Sequence, residues 1–113
     1  MPSVVVNMAA SPRTLVTEKL NAKVKPKAIF IDNVNAGLDA ALLFIDNFTP
    51  SVTNAVALPA PQTVNRLALN VGAGISQSTE DFLKKCEFLC TVTVTRGALD
   101  ANCLVTFIYD LEE

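Results

Sequence analysis

The chain has 113 residues, half of them hydrophobic and 18% charged, with four glycines and six prolines. That length sets one domain with one core, and the composition excludes a disordered, collagen-like or low-complexity chain. Histidine is absent, which excludes Ser-His-Asp and Cys-His mechanisms and every histidine-containing zinc site; nine bases against eleven acids, a net charge of −2, argue against a general nucleic-acid partner.

Residues 1–12 read as an extended arm bracketed by Pro2 and Pro12, in which Val4, Val5 and Val6 can pair as a short strand, including on a neighbouring copy. No basic residue precedes this apolar run, so it lacks the pattern of a secretion signal. The longest apolar run, Ala40 to Ile45, is far short of the roughly 20 residues of a spanning helix. The expectation is a soluble cytoplasmic protein with no membrane partner.

Residues 13–24 alternate, with Leu15, Thr17 and Lys19 on one side and Val16, Glu18 and Leu20 on the other. Lys23, Lys25 and Lys27 then share a face at the strand period of two. Pro26 among them predicts an edge, a bulge or a strand start, because proline cannot donate to a ladder. Residues 28–35 read as a strand, Asn35-Ala36-Gly37 as a turn, and Ala40 to Phe48 as a second apolar strand. A helix over 38–47 competes, since Leu38, Ala41, Leu42 and Ile45 share a helical face. Strand is preferred because Phe44-Ile45-Asp46-Asn47 repeats Phe30-Ile31-Asp32-Asn33 fourteen residues on, a pattern that predicts the two arms of a hairpin.

Residues 49–66 carry Pro50, Pro59 and Pro61 and read as loop with one short strand at 54–58; Leu67 to Val71 is a further strand. Gly72-Ala73-Gly74 reads as a turn, since it lacks the third glycine of a dinucleotide loop and the lysine of a P-loop. Ser78, with Asp81 three residues on, predicts a short helical turn over 78–85. In the next run Thr91, Thr93 and Thr95 line one face and Cys90, Val92 and Val94 the other; in the last run Cys103, Val105, Phe107 and Tyr109 share a face. Turn formers between them predict a β-hairpin with Thr106 opposite the threonine face. The whole, roughly seven or eight short strands at about 8–12-residue spacing, predicts an all-β antiparallel sandwich of jelly-roll or Greek-key type over 1–113, with a small barrel as the alternative.

Few residues carry a chemical signature. Asp32 and Asp46 bear the oxygen chemistry of a calcium or magnesium site, but a hairpin turning near Gly37 sets Asp32 opposite about Leu43, which favours two solvated strand ends over a metal pair. Cys86, Cys90 and Cys103 sit among apolar neighbours without a C-x-x-C pair, as reduced core thiols do. No catalytic residue and no cofactor is expected. Residues 1–27 hold five bases and one acid, and the remainder four bases and ten acids. Mean hydropathy is +0.38, more apolar surface than a small domain hides by itself. Both features point to a non-enzymatic homo-oligomer with a structural or interaction role, Lys23, Lys25 and Lys27 meeting acids of a neighbour. The alternative is a small-molecule or carbohydrate module with a pocket between sheets or subunits.

Overall fold

Period-two alternation organises the described residues into eight strands. The structure, a computed structural model, describes residues 2–17, 22–48, 62–79, 86–98 and 100–112. The strands are β1 (Ser3–Asn7), β2 (Arg13–Val16), β3 (Lys23–Asp32), β4 (Ala40–Phe48), β5 (Gln62–Val71), β6 (Ser76–Thr79), β7 (Thr91–Arg96) and β8 (Leu104–Glu112). They form two four-stranded sheets, β1-β8-β3-β6 and β2-β7-β4-β5, antiparallel throughout. No helix occurs among the described residues.

The strand order has a simple logic. β1 pairs with β8, β2 with β7, β3 with β6 and β4 with β5, as if one long two-stranded ribbon closed between β4 and β5. That ribbon is then rolled so that β3 meets β8 and β4 meets β7. Among the described strands, every connection except β4–β5 therefore crosses from one sheet to the other.

The inward faces meet in one core. Phe107 of β8 is fully buried; it stacks on Phe44 of the opposite sheet at 6.1 Å, takes Phe88 edge-on at 6.2 Å and contacts Tyr109 at 5.7 Å. Met8, buried in the β1–β2 connection, closes one end, its N–H donating to the Cys103 carbonyl at 2.9 Å.

Several sequence expectations change here. Val4, Val5 and Val6 do form a strand, but on β8 of their own chain rather than as a free arm. The 13–24 run ends as a strand at Val16 after a register shift, so Leu15 and Val16 are both buried instead of alternating. The predicted 28–48 hairpin does not form, because β3 and β4 lie in different sheets. The same holds for β7 and β8, and Thr106 consequently faces Val5 and Phe30, not the threonines. Ser78 and Thr79, the start of the predicted helical turn, belong to β6, where Ser78 pairs with Phe30; residues 80–85 lie outside the described residues, as does the short strand expected at 54–58. Other expectations hold. Pro26 adjoins a bulge in which Lys27 is the extra residue, where a missing N–H is tolerated. Gly74 takes the left-handed φ of 82° that its turn requires. β5 departs from expectation: it spans Gln62–Val71, so residues 62–66, read as loop from the sequence, are strand paired with β4.

Because Phe107 joins both sheets, Phe107→Ala is expected to cost about 3–5 kcal/mol, read as a lowered urea midpoint at unchanged m-value.

Candidate functional site

Two polar centres tie the ends of the sandwich. The first is built on Asp46, which shares the inward parity of Ala40, Leu42 and Phe44 and is completely buried. Its Oδ2 accepts Arg66 Nε at 3.2 Å, Arg66 Nη2 at 3.0 Å and the Leu89 N–H at 2.9 Å; its Oδ1 accepts the Cys90 N–H at 2.8 Å. Arg66 reaches it through a bulge: Phe44 pairs with Leu67 and Ile45 with Asn65, leaving Arg66 as the extra residue of β5. Bulges re-aim side chains in this way. The guanidinium also lies 6.0 Å from the centre of the Phe48 ring. A carboxylate so fully donated to is a structural anchor, with its acceptor capacity spent inside the fold.

The second centre lies at the opposite end of β4 and β7. Asn33 is buried and its Nδ2 faces three carbonyls, Leu38 at 3.0 Å, Gly72 at 3.1 Å and Val71 at 3.3 Å. Its backbone carbonyl accepts the Ala36 and Gly74 N–H groups. Arg96, 4% exposed, donates through Nη2 to the Leu38 carbonyl at 2.8 Å and, at the longer distance of 3.5 Å, to Asn33 Oδ1. Its Nε has no partner. Asp100 beside it accepts the Gly37 and Asn102 N–H groups, and these bonds together with the Arg96 charge hold its carboxyl below the ordinary range. The β3–β4, β5–β6 and β7–β8 connections are thus bound to one another.

The predicted site residues are dispersed. Asp32 is exposed on the first sheet, where Oδ1 accepts the Val34 N–H at 3.2 Å, while Asp46 is interior to the second, so the two do not face each other. No metal-holding group of three His, Cys, Asp or Glu occurs among the described residues. Lys25 and Lys23 reach Glu87 of their own chain at 3.0 and 3.6 Å, and Lys27 reaches Asp110 at 3.7 Å. The hydrogen bond with Glu87 raises the Lys25 pKa and lowers that of Glu87. All three cysteines are free thiols; Cys90 and Cys103 are buried, Cys86 half-buried. Burial pushes the Cys86 and Cys103 thiols up, away from the reactive thiolate. Sequence reasoning singles out Asn33 only as part of the Asp-Asn repeat, and Arg66 and Arg96 not at all, although Arg96 continues the parity of Cys90, Val92 and Val94.

Three hollows among the described residues lie on the surface. One of about 460 Å³ on the outer face of the first sheet is lined by Phe30, Asp32, Val34, Ser76, Ser78 and Thr106. One of about 430 Å³ on the second sheet is lined by Ala41, Leu43, Ala68, Asn70, Thr95 and Gly97. A third, about 410 Å³, adjoins Asn65, Arg66, Cys86 and Glu87. No helix among the described residues is long and apolar enough to cross a membrane. Comparison of the chain with protein-family models, curated proteins and solved structures returned no match.

Two outcomes follow from this geometry. Asp46→Ala is expected to cost about 3 kcal/mol, since it removes the acceptor of two backbone N–H groups at about 1–3 kcal/mol each, whereas Asp32→Ala costs under about 1 kcal/mol; urea unfolding of both variants checks the contrast. The Lys25–Glu87 pair stabilises the fold above the usual carboxylate pKa, and its contribution fades as pH falls through the depressed Glu87 value. At the alkaline limb it fades as pH rises through the raised Lys25 value. A double-mutant cycle with Lys25→Met and Glu87→Gln is expected to show coupling at neutral pH that vanishes in acid.

Proposed function

We propose that the chain is a non-enzymatic jelly-roll subunit that assembles with copies of itself and serves a structural or interaction role through the assembled surface. The observation that carries this reading is the outer face of the second sheet, whose cross-strand rows hold no charged side chain among the described residues. Thr14, Thr93, Ile45 and Asn65 form one row, and Thr95, Leu43 and Ala68 the next. Uncharged, partly apolar sheet faces are characteristic of interfaces more than of solvated surface. The positive residues Lys23, Lys25 and Lys27 take Glu87 and Asp110 within the chain, so the proposed contact rests on uncharged surface. The jelly-roll assignment is supported, among the described residues, by eight strands in two sheets with β4–β5 as the sole connection within a sheet. Free thiols support a reducing compartment such as the cytoplasm.

A second reading, a small-molecule or carbohydrate module, draws on one observation. In the first-sheet hollow the 40%-exposed Phe30 lies between Thr106 and Ser78, with Asp32 nearby, which pairs an aromatic ring with hydroxyl and carboxylate groups. A saturating panel of neutral sugars that raises the melting temperature of the wild type, and fails to raise that of Phe30→Ala, would favour it.

The assembly reading is tested by light scattering behind a sizing column. The expected mass is a sharp multiple of 12.1 kDa that survives dilution and, with no ion pairs in the contact, salt up to about 1 M. A mass of 12.1 kDa at all concentrations contradicts it.

A further inference from the structure

Among the described residues the two sheets end in four edge strands, β1, β6, β2 and β5. Sheet proteins protect such edges with short strands, prolines, charges and bulges. β1 has five residues and begins next to Pro2, whose carbonyl accepts the Tyr109 N–H. β2 has four residues, follows Pro12, begins at Arg13 and is interrupted by a register shift. β6 has four residues. β5 has ten. Its bulge at Arg66 breaks the first half, but Leu67–Val71 forms a regular ladder with β4, holds no proline or charge, and has no described strand on its far side.

The core is also least covered along this edge. Leu67 and Leu69 remain 9% and 8% exposed, the highest values in the buried cluster that joins the two sheets.

We infer that this edge is where copies of the chain join: Leu67–Val71 pairs antiparallel with the same segment of a second copy about a two-fold axis at Leu69. This rests on the self-assembly reading and names its contact. Outward-pointing N–H and C=O groups of an edge select an extended strand as occupant. A second copy fits by charge and shape. The two-fold register sets Leu67 opposite Val71 and Ala68 opposite Asn70, so no like charges meet. Ala68 is small enough for a strand to close to the ordinary spacing of about 4.8 Å. The apolar hollow on the second sheet, which includes Ala68 and Asn70, then continues across the junction. Leu67 and Leu69 gain cover from their counterparts, and the contact is isologous and closed.

The register is tested by charge exchange at the two exposed, outward positions 68 and 70, away from the core. The wild type is expected at twice 12.1 kDa or a higher even multiple. Ala68→Lys with Asn70→Lys places like charges opposite one another and is expected to halve the mass. Ala68→Lys with Asn70→Glu places unlike charges opposite one another and is expected to restore it. Ser3→Lys, exposed on β1 of the other sheet, is expected to leave the mass unchanged. Circular dichroism confirms that each variant retains its strands. An assembled wild type whose double-lysine variant keeps its mass overturns the edge contact while leaving self-assembly standing. Failure of the lysine–glutamate variant to reassemble overturns the two-fold register. A monomeric wild type overturns this inference and the assembly reading together.

Discussion

The buried carboxylate of Asp46 holds three segments that no ladder could align alone. It fixes the approach to β7 through Leu89 and Cys90, and it draws Arg66 inward through the bulge of β5. A charge taken out of water costs several kcal/mol unless its lone pairs are satisfied; four donors satisfy them here. The same bulge divides β5. Before it, residues 62–66 are all exposed; after it, inward and outward positions alternate through Val71. The regular edge that carries the proposed contact therefore begins where the Asp46 anchor ends.

Asn33 and Arg96 perform the corresponding task at the other end, with a different balance. Asn33 is neutral and shares the two N–H groups of its amide among three carbonyls. Arg96 is charged, has one short bond to the Leu38 carbonyl and leaves its Nε without a partner. The Asp46 centre pairs its charge directly with Arg66, whereas Arg96 relies on carbonyl dipoles and on the nearby Asp100. With Asp46 and Arg96 drawn inward on the second sheet, its outer rows are left uncharged among the described residues. Fold and proposed function meet there: charge is spent on holding the crossings together, and the remaining surface is suited to another copy.

Strand content was legible in the sequence because side-chain parity is local. The threonine face of β7 and the Cys103, Val105 and Phe107 face of β8 lie as alternation requires. Topology was not legible, because sequence neighbours in this fold pair with distant strands. The repeated tetrapeptide shows why. In β3 Phe30 and Asp32 face outward, while in β4 Phe44 and Asp46 face the core. The same residues thus occupy opposite phases, one pair at the surface and the other in the interior. Phase is set by which side of the strand meets the opposite sheet, and a four-residue motif does not encode that. Parity did contain an unused signal: Asp46 follows Leu42 and Phe44, and Arg96 follows Val92 and Val94, so both charges were placed among core positions. Arg66 carried no such signal, since its inward aim comes from a bulge.

Amide hydrogen exchange along Leu67–Val71, followed as a function of protein concentration, addresses the central claim most directly. An edge that joins copies predicts slow exchange of its outward-pointing amides in concentrated protein, which accelerates on dilution while the interior amides of β4 and β7 stay protected. Exchange along this edge that is fast and independent of concentration would contradict the account.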